Sequence, residues 1–346
     1  MGSCGASAPG PRPSGSPDNP GLSGSSGSSG SLLAVSDLHV RYEDNRAVVE
    51  ALRPSSDEDW LLVAGDVGDH MADVEWALST LASRFSRVVW VPGNHELWTH
   101  PDDPVRSRGV ARYEALVRLC RSLGVTTPED PYPVWRGAGG PAVVVPLFLL
   151  YDYSFRRPGV RSAEEALRLA DEAGVVATDE FLLRPDPYAS VVEWCRARLR
   201  LTAARLDALP ADLPTVLVSH FPLVREPTEV LRFPDFALWC GTQATADWPV
   251  RYRAAAVVYG HLHIPRLIRK QGVPHYEVSL GYPREWSRRA DPGHGPRVLP
   301  EFSAPSPGGL RPGPGPGESR PGPGFGESRP GPGFGGERPG FGGGRA

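Results

Sequence analysis

The stretch WLLVAGDVGDHMADVEWALSTLASRFSRVVWVPGNHE, residues 60–96, decides the fold. Two short apolar runs, WLLVAG (60–65) and RVVWVPG (87–93), flank a segment, 71–85, whose apolar residues recur at helical spacing. Runs that are apolar at every position predict strands buried on both faces, so the unit is a strand, a helix and a second strand. Each run ends in a glycine followed by a polar side chain: Asp66 after the first, Asn94 and His95 after the second. In open α/β sheets, ligands are held where strands end.

The same reading extends in both directions. LLAVS (32–36), AVVVPLFLL (142–150), TVLVSH (215–220) and AAAVVYGH (254–261) predict further buried strands, and HYEVSL (275–280) the last, closed by GYPREW (281–286). Segments 109–122, 162–173 and 190–209 carry helical spacing. Alternation of this kind is the pattern of an α/β domain. The chain outside it differs in composition. Residues 1–30 hold 8 Gly, 5 Pro and 9 Ser, and residues 305–346 hold 16 Gly and 10 Pro with ESRPGPGFG repeated at 318–326 and 327–335. Neither end can bury enough apolar surface to offset its ordering entropy, so both are expected to be disordered and the domain to span 31–304.

Net charge is −3, and the C-terminal tail carries five Arg against three Glu, which leaves the central domain near −5. Long nucleic acid is therefore not an expected partner. Four widely spaced cysteines without a CxxC pair give no disulfide framework. No secretory leader or membrane-length apolar run is evident, so a soluble, cytoplasmic chain is expected, of unknown oligomeric state.

Five strand ends carry the chemistry: Asp37 with His39 in SDLH, Asp66 in AGDVGD, Asn94 with His95 in PGNHE, His220 in VSHF, and His261 with His263 in YGHLH. One histidine after a strand is more often a core or surface residue than a ligand. Two Asp, one Asn and five His with no cysteine among them form the donor set of first-row divalent ions rather than of a structural zinc site. Gly65, Gly93 and Gly260 each precede one of these residues, as expected where backbone must approach closely.

The ordered blocks DLH, GDVGD, GNHE, SH and GHLH resemble the signature of calcineurin-like metallophosphoesterases, spread over residues 37–263. The resemblance implies a four-layer α/β/β/α sandwich of two mixed sheets. It implies that Asp37, His39 and His263 hold one divalent metal ion and Asn94, His220 and His261 another, with Asp66 shared between them. Mn, Fe and Zn all suit such donors. It further implies a hydroxide bridging the two ions as the in-line nucleophile on phosphorus, His95 beside the scissile phosphate as acid or donor, and Asp69 as the carboxylate that orients His95. A cap for the helix beginning near Met71 is the competing reading of Asp69.

The 122 residues between the GNHE and SH blocks are more than one crossover needs, which predicts a helical insert over about 151–213 that shapes the substrate site. Tyr153, in YDYSFRRP (151–158), and Arg225, in FPLVREPT after His220, are candidate substrate contacts, since arginine can grip phosphate with two donors. The expected substrate is a small-molecule phosphomonoester or phosphodiester. A nucleotide phosphodiesterase or nuclease is the alternative within the enzyme class, and a noncatalytic scaffold the alternative outside it.

Overall fold

The computed structural model describes residues 1–2, 30–289 and 297–299. The two ends expected to be disordered lie almost entirely outside these residues. A small sheet is formed by β1 (Leu32–Val35), β2 (Trp60–Val63) and β3 (Arg87–Trp90), which run parallel. A larger one contains β4 (Val134–Trp135), β5 (Ala142–Pro146), β6 (Thr215–Val218), β7 (Ala254–Tyr259), β8 (Arg266–Lys270) and β9 (Val273–Glu277), ordered β4-β5-β6-β7-β9-β8. β5, β6, β7 and β9 are parallel, while β4 and β8 pair antiparallel at the edges.

Why two sheets stack follows from the alternation of side chains along each strand. Leu32, Ala34, Leu62, Ala64, Val89 and Val91 meet Val144, Val216, Val218, Ala256 and Val258 in one cluster between the sheets. The alternate residues, Leu33, Val35, Leu61, Val63, Val88 and Trp90, face α1 (Glu43–Ala51), α2 (Met71–Ala82) and α4 (Gly109–Ser122), the short α3 (Asn94–Leu97) lying between. On the other side Val143, Val145, Leu217 and Val257 pack beneath Leu206, Trp248 and Tyr252. Both strand faces are covered, which is why the runs are apolar at every position. Each fully buried Leu or Val contributes about 1.5–3 kcal/mol. The architecture is the α/β sandwich of two mixed sheets.

Between β5 and β6 the chain forms α5 (Ala163–Glu172), α6 (Asp179–Leu182) and α7 (Val191–Asp207). Ser162 and Ser190 cap α5 and α7 by accepting from the backbone N–H of Glu165 and Glu193. Several expectations need correction. The apolar run at 142–150 is a strand only to Pro146, and residues 147–150 continue as buried irregular chain. HYEVSL is not the last strand: β10 (Arg297–Val298) returns after GYPREW and pairs antiparallel with β1. β8 exposes alternate side chains and has no apolar run to mark it, and α1 buries only Asn45 and Val49. No helix among the described residues is long and apolar enough to cross a membrane.

Two glycines fix how closely the strand ends approach. Gly65 has φ +87°, and a Cβ there would stand 2.6 Å from the Gly93 backbone nitrogen and 2.7 Å from His220 Nδ1. A Cβ on Gly93 would stand 2.6 Å from the Asp66 nitrogen. Left-handed strain of about 1–2 kcal/mol adds to overpacking of about 1–3 kcal/mol, so Gly65→Ala is expected to lower unfolding stability by about 2–5 kcal/mol in a urea titration.

Candidate metal centre and catalytic cleft

Every side chain singled out at a strand end gathers at the carboxyl edges of the two sheets. Asp37 and His39 follow β1, Asp66 follows β2, Asn94 and His95 open α3 after β3, His220 follows β6, and His261 and His263 follow β7. Asp37, His39, Asp66, His261 and His263 all have φ between +40° and +72°. Only three other non-glycine residues among those described do so, which concentrates backbone strain at this edge. Strain of that kind persists where the surrounding structure over-determines it.

Two clusters of donor atoms result. In the first, His263 Nε2 lies 3.1 Å from Asp37 Oδ1 and 3.2 Å from His39 Nε2. In the second, His220 Nε2 lies 3.1 Å from Asn94 Oδ1, 3.2 Å from His261 Nδ1 and 3.4 Å from Asp66 Oδ2. Asp66 also lies within 4.8 Å of donor atoms on His39 and His95, so it stands between the two clusters. Donors held at about 2.0–2.2 Å from one ion, at angles near 100°, are separated by about 3.0–3.4 Å. These spacings fit that edge length, whereas His39 Nε2 stands farther from Asp37 Oδ1, at 4.0 Å, and the donor set is oxygen and imidazole throughout.

Charge supports the same fit. Asp37 and Asp66 are 0% and 2% exposed. Burial opposes their ionisation, but His263 beside Asp37 and His220 beside Asp66 hold both carboxyls below their ordinary range. Against its own burial, His220 is pushed up to about 9 by Asp66, and His263 to about 10 by Asp37 and Glu285. His39 and His261 go the other way, to about 3, because burial and neighbouring imidazoles disfavour their charge. Two buried carboxylates thus call for positive charge among imidazoles, some of which are held neutral, the form that binds metal.

A layer of polar groups aims these donors. Asp37 Oδ2 accepts from Ser36 Oγ at 2.5 Å and from Ser279 Oγ at 2.6 Å, and the His261 N–H also donates to Asp37. Glu285 holds His263 Nδ1 at 2.7 Å, which turns Nε2 towards Asp37. Asp179, from α6, accepts from Asn94 Nδ2 at 2.8 Å and from Trp98 Nε1 at 2.7 Å, leaving Asn94 Oδ1 for the cluster. Glu96 is fully buried and accepts from the N–H groups of Asp66, Val67 and Gly93 at 2.9–3.0 Å, so one carboxyl ties the β2 and β3 loops together. Burial and the nearby Asp66 push Glu96 up to about 7. The PGNHE block contains Glu96 without marking its role, and nothing local marks Asp179, 85 residues from Asn94.

His95 stands beside the second cluster. Its Nδ1 meets Asp69 Oδ1 at 2.7 Å, its Nε2 lies 3.7 Å from Asp66 Oδ2, and its N–H donates to Asp66 Oδ1. Burial lowers its basicity, but Asp66 and Asp69 outweigh burial and raise it. Asp69 does not cap α2: His70 occupies that position, and the Met71 N–H reaches Asp103 instead.

A cleft of about 520 Å³ opens over Asp66, Asn94, His95, His261 and His263. Trp98, Trp239 and Tyr282 line it, whereas Trp248 is packed in the outer core. Neither Tyr153 nor Arg225 lines it. Tyr153 is buried with its hydroxyl donating to Glu180 at 2.9 Å, and Arg225 pairs with Glu229 at 3.8 Å. The arginines at the mouth are Arg232 and Arg284, which the sequence reading did not single out.

Comparison with known proteins agrees with this geometry. The family described as calcineurin-like phosphoesterase matches residues 30–265. Acyl-carrier-protein phosphodiesterase PptH of Mycobacterium tuberculosis is 53% identical over 282 residues, which is 79% of this chain and 87% of that protein. The crystal structure of phosphopantetheinyl hydrolase PptH from the same organism superposes with a TM-score of 0.78 at 52% identity, covering 82% of this chain and 100% of that one. The chain therefore belongs to the calcineurin-like phosphoesterases and is a hydrolase of phosphoester bonds.

Proposed function

We propose that the chain hydrolyses the phosphodiester joining a phosphopantetheinyl group to an acyl carrier protein. The observation that carries this reading is the relative with that activity in its name, matched along 87% of its length. It replaces the free small molecule expected from sequence with a small group attached to a protein. The open cleft beside the donor clusters is compatible with an extended arm.

In this reading Asp37, His39 and His263 would hold one divalent ion and Asn94, His220 and His261 the other, with Asp66 available to both. An oxygen and imidazole donor set suits Mn, Fe or Zn. When bound, such ions neutralise phosphoryl charge and lower the pKa of water towards neutrality. The remaining work belongs to the protein. Water adds to phosphorus, the bond from phosphorus to the carrier oxygen breaks, and the products are phosphopantetheine and a carrier with a free hydroxyl. His95 is the acid that gives that leaving oxygen its proton from Nε2, because Asp69 occupies Nδ1 and favours the protonated ring. Asp179 and Glu285 are positioning residues, acting through Asn94 and His263.

Mn-loaded protein is expected to convert phosphopantetheinylated carrier protein to the bare carrier, read as the mass lost in intact-protein mass spectrometry. Hydrolysis of bis-p-nitrophenyl phosphate with an unchanged carrier would overturn the substrate and leave the family assignment standing. His95→Ala is expected to lower kcat by about 10²–10⁴-fold while metal analysis shows full occupancy. Asp179→Ala removes the partner that aims Asn94, and metal affinity is expected to fall by about 10–100-fold in a competition titration with a chelator.

A further inference from the structure

The mouth of the cleft carries a surface that catalysis on a small diester does not require. Val176 is 47% exposed and Phe233 is 57% exposed, and both line the opening. Arg232 and Arg284 line it too, from segments more than fifty residues apart in the chain. The Arg232 guanidinium lies over the Phe233 ring at 5.5 Å and that of Arg284 over the Tyr282 ring at 5.4 Å. Among the described residues, neither makes an ion pair or a hydrogen bond. Other arginines near the site are committed: Arg225 to Glu229, Arg266 to the Pro227 carbonyl and Arg289 to the His263 carbonyl. Two guanidinium groups steadied on aromatic rings, with all their donors unspent beside an exposed Phe, have the composition of a protein-binding hot spot.

We infer that Arg232, Phe233 and Arg284 form the docking surface for an acidic face of the carrier protein, with Phe233 as the apolar anchor. This rests on the substrate proposed above. A diester formed on a side-chain hydroxyl places its phosphorus only a few bonds from the carrier backbone. For that phosphorus to reach Asp66 and His95, the carrier's own surface must close onto the mouth, and the residues it meets first include these two arginines and Phe233. Arg284 lies close enough to Glu285 to favour its ionised form but spends no hydrogen bond on it, and carboxylates flanking the modified residue would satisfy the donors that the two arginines leave open. The arginines thereby distinguish a carrier-borne diester from the same group on a neutral support.

The test compares the Mn-loaded wild type with the Arg232→Glu/Arg284→Glu double variant. The two substrates are phosphopantetheinylated carrier protein and a short neutral peptide bearing the same group, each measured as kcat/KM at low and high salt. The wild type is expected to prefer the carrier and to lose much of that preference as salt rises. In the double variant the carrier-to-peptide ratio is expected to fall about tenfold or more, and the Arg232→Lys/Arg284→Lys pair to retain most of it. An unchanged ratio, or equal loss on both substrates, overturns the docking role. Unchanged thermal melting separates the effect from misfolding, and Phe233→Ala, expected to lower the same ratio, serves as a second variant should the charge reversal fail to fold. A wild type that cleaves bis-p-nitrophenyl phosphate but releases nothing from carrier or peptide overturns the substrate itself, and the docking with it.

Discussion

The burial of Asp37 and Asp66 is the constraint from which the rest of the site follows. A carboxylate withdrawn from water costs several kcal/mol unless charge and hydrogen bonds replace its hydration. Here the replacement comes from residues spread over more than two hundred positions, and only the convergence of strand ends from two sheets brings them together. The apolar core between the sheets is therefore part of the site's chemistry. It sets the distance between the β1–β3 loops and the β6–β7 loops to within the length of a hydrogen bond.

The same constraint explains why the loops are strained and the glycines small. Asp37, His39, Asp66, His261 and His263 hold left-handed backbone within four residues of the ends of their strands, where the chain turns over the sheet edge. Gly65 and Gly93 leave room for the β2 and β3 loops to touch, and Glu96 ties them by three backbone N–H groups. A single buried carboxyl thus sets the positions of Asp66 and Asn94 together, which couples the two donor clusters mechanically as well as electrostatically.

Much of this was legible in the chain. Strands buried on both faces announce themselves as unbroken Val and Leu runs, and the polar residues just beyond them are the ones that gather at the sheet edges, so the α/β class could be read directly, whereas the sandwich of two sheets was implied by the resemblance of the five blocks. What escaped had no local signature. β8 alternates exposed and half-buried side chains at a sheet edge, and α1 contributes a single buried apolar residue. Asp179 acts across 85 residues from inside the insert, where it looks like any acid near a helix start. Tyr153 was attractive because it lies in the insert expected to shape the substrate site, and Arg225 because it closely follows His220. Yet the Tyr153 hydroxyl is spent on Glu180, while Arg232 and Arg284 reach the cleft from places that carry no motif.

The antiparallel pairing of β10 with β1 bears on how the molecule can be handled. Leu299 donates to the Leu32 carbonyl, so the described chain enters and leaves side by side at the amino end of β1. Asp37 and His39 lie beyond the other end of that strand. A handle inserted beside residue 30 or residue 299, or a surface used to immobilise the protein there, would therefore attach at the end of β1 away from Asp37 and His39.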